Sequence, residues 1–368
     1  MNNTTNITAS DGEDFCDYTR PSEVGIIVMS MFYIVMTILS LTGNILVIQT
    51  VAVNRRMHTV TNYLIINMAV ADLLLTVFNM PSTTASFLKT TSYWVPGKLG
   101  LAMCKLIPFI QAVSVGSSVW NMNAIALDRF FAVVFPIRRY VTFPVAYGMM
   151  VVVWTLAIGI SAPILYAMNL EPAEEPGQYY CGETWNLEDV STSSAPKDYT
   201  IALFLFFYAI PLLMISVLYS FIIYKLWIRK LPGQRSETNE QRADKSKKKV
   251  LKMLLIVVVL FAICWLPLYV TQFMYFFGGP CGAPTSVVYF GYFIGHANSA
   301  INPCIYVLFN ENFRKGFRDA LLCRCQRRRI IPGASTIGID NTYIDRGATS
   351  FKLNVVSPAR QRVNDTYQ

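Results

Sequence analysis

The stretch Leu101–Val134 reads LAMCKLIPFIQAVSVGSSVWNMNAIALDRFFAVV. As an α-helix it would run about 50 Å, more than the ~30 Å of a bilayer's hydrocarbon core. Its only charges are Lys105, Asp128 and Arg129. Its polar residues are not scattered. Gln111, Ser114, Ser118, Asn121, Asp128 and Arg129 fall within an arc of roughly 100° at 3.6 residues per turn. A helix with one polar stripe and lipid-compatible flanks belongs in the centre of a membrane bundle, with the stripe facing protein or a cavity.

Working outward, six further apolar runs have spanning length: about Val24–Val53, Thr61–Leu88, Pro144–Met168, Tyr199–Ile228, Lys249–Phe277 and Pro284–Phe309. The 368 residues are 54% hydrophobic and 14% charged, whereas soluble domains carry about 25% charge. The expected fold is therefore an all-α integral membrane protein, a seven-transmembrane helix bundle. Barrel strands would give alternating segments of ~10 residues, and the sequence has none.

The net charge of +9 does not point to nucleic acid, because the basic residues lie in short clusters between apolar runs. Arg55, Arg56, Arg138 and Arg139 stand on one side, with Arg229, Lys230, Arg235, Arg242 and Lys245–Lys249. The tail adds Arg314, Lys315, Arg318, Arg324 and Arg327–Arg329, against Arg20, Lys89, Lys98, Lys105 and Lys197 on the other side. The positive-inside rule places the N-terminus outside, and the expected location is the plasma membrane. Met1–Arg20 has no apolar core, so the first run is expected to act as the targeting signal.

The expected organisation is an extracellular glycosylated head (1–23), the bundle (24–309), an interfacial segment (310–325) and a disordered cytoplasmic tail (326–368). In the interfacial segment Phe313, Phe317, Ala320 and Leu321 share one helical face opposite Arg314, Lys315 and Arg318, the pattern of a short eighth helix lying on the inner leaflet. Cys323 and Cys325 follow as palmitoylation candidates, a further tie to membrane lipid. Asn2, Asn3 and Asn6 begin sequons in the head. Cys16, Cys104, Cys181 and Cys281 fall outside, where the redox potential favours two bridges; three pairings are open.

Asn44, Asp72, Asn298, Ser299 and Asn302 are polar within other runs. Helix–helix hydrogen bonding accounts for the amides and hydroxyls. Asp72 needs a cation, a proton or several donors. Pro81, Pro163, Pro211, Pro267 and Pro303 each remove a backbone donor and mark bends.

These residues carry a resemblance. Gly43-Asn44-Ile45-Leu46-Val47 and Asn67-Met68-Ala69-Val70-Ala71-Asp72-Leu73-Leu74, then Asp128-Arg129-Phe130, Trp154, Pro211 with Tyr219, Cys264-Trp265-Leu266-Pro267 and Asn302-Pro303-Cys304-Ile305-Tyr306 resemble, in order, the motifs of rhodopsin-like G-protein-coupled receptors. The resemblance implies a sodium pocket of Asp72, Ser118, Asn298, Ser299 and Asn302, with no other cofactor. It implies ligand contacts by Gln111, Trp265, Tyr269, Gln272, Tyr292 and His296, and a relay through Pro211, Val119 and Phe261. It places Asp128, Arg129, Tyr219, Asn302, Pro303 and Tyr306 at the inner switch that meets a heterotrimeric G protein, with arrestin a further partner. Its outer disulfide corresponds to Cys104–Cys181; a bridge between Cys16 and Cys281 would tie the head to the last outer loop, and that pairing stays open. Two departures stand out. Phe130 replaces a Tyr, and Lys247 occupies the place of an acidic partner for Arg129, so the resting lock is expected to be weak.

Gln111 stands where aminergic receptors carry Asp, and His296 where light receptors carry the retinal lysine, so neither an amine nor an opsin fits. The head and the loop Asn169–Asp198 are acidic, which attracts cations. Gln111 and the second run resemble receptors for neuropeptide Y, orexin and RF-amide peptides, so the expected ligand is a short, basic, amidated extracellular peptide. A transporter would show repeats or an ion path, and an enzyme would need a catalytic constellation; neither pattern is present.

Overall fold

The computed structural model describes residues 22–88, 93–138, 140–173, 175–185, 194–228, 238–278 and 283–322, with the backbone alone at 226–228 and 238–248. Seven long helices follow in order: α1 Glu23–Val53, α2 Val60–Leu88, α3 Gly97–Val134, α4 Phe143–Ala167, α5 (195–228), α6 Thr238–Phe277 and α7 Thr285–Phe309. A short helix, α8 Glu311–Leu321, completes the described chain. Among the described residues, α1 to α6 are long and apolar enough to cross a membrane. α7 is equally long, but His296, Asn298, Ser299 and Asn302 dilute its apolar content along one buried face.

The bundle is inverted relative to a soluble protein. Phe32, Ile34, Val35, Ile38 and Leu39 of α1 are exposed, whereas Ser40, Asn44, Asp72, Asn121, Asn298 and Asn302 are buried. Apolar surface of that extent belongs against lipid. Polar groups inside it must satisfy one another.

Helix lengths differ from the hydropathy reading where the chain leaves lipid. α6 begins at Thr238, well before Lys249. The added turns, TNEQRADKSKK, are rich in good helix formers that carry no hydropathy signal. The outer loop holds a two-stranded antiparallel hairpin, β1 Met168–Pro172 and β2 Tyr179–Glu183, with Leu170 opposite Cys181. The all-α expectation did not include it.

Two of the prolines do more than bend their helices. In α2 a wide π turn, Leu75–Asn79, ends two residues before Pro81; in α5 another, Leu205–Ala209, ends two residues before Pro211. A proline cannot donate to the preceding turn, and the extra residue relieves the clash of its ring. Above Pro211 the indole Nε1 of Trp120 donates to the Phe206 carbonyl at 3.1 Å.

Close approach fixes α8. A Cβ at Gly316 would stand 2.1 Å from Thr50 Cγ2, so the helix seats directly on the inner end of α1. Phe313 is fully buried beneath it. Cys16, Cys281, Cys323, Cys325, Asn2, Asn3, Asn6 and the Lys247 side chain lie outside the described residues.

Candidate functional site

Three stations run inward along α3. The outermost is a cavity of about 530 Å³, within the size range of small-ligand sites. Gln111, Trp265, Tyr269, Gln272 and Tyr292 all line it. His296 does not, which corrects the expectation. Its ring is fully buried, with Nδ1 3.4 Å from the Tyr33 hydroxyl, an edge contact to Tyr33 and a tilted contact to Tyr292. Tyr292, one turn outward on α7, takes the lining position instead.

The hairpin stands at the mouth of this cavity. Cys181 bonds Cys104 at the outer end of α3, and β2 is thereby held over the helices. Residues two apart in a strand share a face, so Glu183 is carried toward the cavity with Cys181. It is the one charged side chain among the described lining residues. Trp185 Nε1 donates to its Oε1 at 2.6 Å. Loss of water around the carboxyl nevertheless raises its pKa above the usual Glu value, the Trp185 bond opposing this only in part. At the floor, Asn79 lines the cavity while both its amide atoms are buried without a partner, and Trp265 Nε1 is likewise unpartnered.

The middle station centres on Asp72, which is 2% exposed. Ser299 Oγ donates to its Oδ1 at 2.8 Å and Asn302 Nδ2 to its Oδ2 at 3.0 Å. Asn44 braces the group by donating to the Ser299 carbonyl at 3.1 Å. Asn298 is buried with Oδ1 unpartnered, and Ser118 is buried on α3. This set fits a hard monovalent cation: one carboxylate, hydroxyls and an amide oxygen, with no thiolate or imidazole. Asp72, Ser118, Asn298 and Ser299 supply the oxygens that would hold it, and it would supply the positive charge that the buried carboxylate lacks.

Between the outer and middle stations, Phe261 and Trp265 lie 6.2 Å apart, and Val119 is fully buried. At the inner station Arg129 Nη2 meets Asp128 Oδ2 at 2.6 Å. Thr61, on the first turn of α2, donates to the same oxygen at 2.6 Å and also accepts from Arg129 Nη2. Tyr219 is buried, and Tyr306 is packed on Phe313 with its hydroxyl unpartnered. The described side chains of α6, from Lys249 onward, include no acid. Among the described side chains, the Arg129–Asp128 pair is partnered by a hydroxyl on α2.

Thr61 is a residue the sequence reading missed, since a threonine in a helix's first turn carries no signal beyond capping. Thr61→Val removes both bonds and keeps the volume. Spontaneous opening of the bundle's inner end, read from the distance between spin labels at Arg138→Cys and Lys249→Cys, is expected to rise about threefold or more, the lower bound set by one membrane hydrogen bond. Thr61→Ser restores the parent distribution. An unchanged distribution in Thr61→Val would sink the assignment.

The sequence family described as 7 transmembrane receptor (rhodopsin family) matches residues 43–306. The chain is 31% identical over 340 residues to the QRFP-like peptide receptor of Branchiostoma floridae, covering 90% of this chain and 86% of that one. It is 34% identical over 343 residues to neuropeptide FF receptor 1 of Homo sapiens, covering 88% and 75%. Against the substance-P receptor of Aquarana catesbeiana the identity is 30% over 319 residues, covering 85% and 74%.

Proposed function

Since the chain belongs to the rhodopsin family of seven-transmembrane receptors, we propose that it is a plasma-membrane receptor, N-terminus outside, for a short cationic peptide with an amidated end, and that it activates heterotrimeric G proteins. It is a multi-pass membrane protein and not an enzyme. The observation that carries the peptide reading is the cavity's charge inventory. Glu183 at the mouth is the single charged group among the described lining residues, above a neutral floor.

A carboxylate near an apolar cavity selects a cation, and an Arg side chain meets it with two parallel bonds. The floor sets the other end. No described lining residue is a cation, so a free carboxyl terminus would be buried without a counter-charge, which is costly. A primary amide both donates and accepts, as the two orphaned atoms of Asn79 require. The relatives named for QRFP-like peptide and neuropeptide FF support the same class. On the inner side, the Arg129–Asp128–Thr61 group lies where a G protein would dock once α6 moves away.

The test is a library of amidated Arg-containing peptides, each with its free-acid twin, applied to cells carrying several G-protein reporters. Amidated members are expected to act at concentrations at least a hundredfold below their twins. Glu183→Gln should weaken the amidated peptides by about tenfold or more, the worth of a charge-assisted bond. The pH dependence follows from the raised pKa. Acidification neutralises Glu183 before an ordinary Glu while Arg stays charged, so potency falls with pH in the parent receptor and stays flatter in Glu183→Gln. Equal potency of amide and acid forms, or an indifferent Glu183→Gln, would overturn the reading.

A further inference from the structure

Tyr208 is the fourth residue of the wide turn in α5 and does not line the ligand cavity. Its side chain touches α6 on both sides of Pro267. The hydroxyl donates to the backbone carbonyl of Ala262 at 2.9 Å, on the inner side of that proline. The ring lies 5.1 Å from Tyr269 and stacks at 5.4 Å on Phe204, which itself meets Tyr269 edge-on at 5.4 Å. Tyr269 is on the outer side of Pro267 and lines the cavity.

The placement has a physical origin. Pro267 carries no N–H for the Ile263 carbonyl, so the backbone ladder is interrupted there and α6 can flex. A phenol at membrane depth needs an acceptor. Here the acceptor is main-chain, so the bond registers where the helix is and not which rotamer a side chain has chosen. The residues flanking this carbonyl include Phe261, which is fully buried and packed toward Trp265.

We propose that Tyr208 is a positioning residue that holds the inner half of α6 in its resting place, and that pressure on Tyr269 from the cavity releases it. The side chain spans the hinge, its hydroxyl on Ala262 and its ring on Tyr269. A ligand that shifts Tyr269 disturbs the ring, and an outward swing of the inner half carries Ala262 away from the hydroxyl. The proposal rests on the receptor reading for its purpose, but its geometry can be tested with neither agonist nor G protein.

The experiment places spin labels at Arg56→Cys, in the turn that follows α1, and at Lys249→Cys, on the inner half of α6, and measures their distance distribution in the full-length receptor without ligand. Tyr208→Phe deletes the hydroxyl and keeps the ring. It is expected to enrich the long-distance population by about threefold or more. Ser216→Ala serves as the control, because that hydroxyl bonds within α5, to the Leu212 carbonyl at 2.7 Å; it should leave the distribution unchanged. A Tyr208→Phe distribution equal to the parent's, or one shifted to shorter distance, overturns the proposal. So does an equal shift in Ser216→Ala, since that would make the loosening generic. If Tyr208→Phe opens the helix while every G-protein reporter stays silent, the strut stands and the coupling reading falls.

Discussion

Replacing Asp72 with Asn is expected to abolish the effect of sodium chloride on this receptor. In the parent, raising sodium should lower the affinity of an amidated Arg-peptide agonist by on the order of tenfold, within the usual range for coupling between two sites. It should also raise the thermal stability of the unliganded protein, as any group that binds one state does. Choline chloride at equal ionic strength should do neither, which separates site binding from screening. Asn is the informative substitution because it keeps the shape and one acceptor for the donors Ser299 and Asn302, yet brings no charge. The bundle should therefore fold while the cation loses its main partner. A variant that responds to sodium as the parent does would remove the cation from this site.

Exchanging both Cys104 and Cys181 for Ser is expected to reduce agonist binding by a hundredfold or more, well beyond the loss in Glu183→Gln. The bridge closes a separation of 77 residues, worth about 4.5 kcal/mol in the chain-entropy model. The bilayer already restrains these helices, so stability should fall by less than that value. The larger loss is positional. β2 is held over the cavity through Cys181, and Glu183 with it; a released hairpin presents no fixed carboxylate and leaves the mouth open to water. Surface staining of an N-terminal tag would separate this from lost expression. Binding that survives in the double variant, at matched surface level, would show that the hairpin holds its place without the bridge.

These two outcomes separate what is written in the chain from what is assembled by it. The seven runs, the stripe on α3 and the order of motifs around Asn44, Asp72, Arg129, Trp265 and Pro303 were legible because hydropathy and helical spacing are local. Each residue contributes to such a pattern without reference to a partner, and the cost of leaving a backbone unpaired in lipid makes helix the only solution for an isolated span. The amphipathic face of α8 was legible for the same reason.

Partnerships were not legible in local pattern, because they join residues far apart; the grouping of Asp72 with Ser299 and Asn302, and of Cys104 with Cys181, came only through the family resemblance. Thr61 meets Asp128 across 67 positions, and Ser299 meets Asp72 across 227. His296 pairs with Tyr33 across 263 and is thereby withdrawn from the cavity that its place on α7 had suggested. Among several acids of one loop, strand pairing and one disulfide decide that Glu183 reaches the cavity. The wide turns before Pro81 and Pro211 appear in the sequence only as prolines, because relief of a ring clash depends on the room that neighbouring helices leave. The amino-acid sequence by itself determined a helical membrane receptor with buried polar groups. Only the packing of the helices decided which of those groups satisfy each other and which remain open to a ligand, since residue identity supplies the donor and the acceptor but only the tertiary structure brings the two within bonding distance.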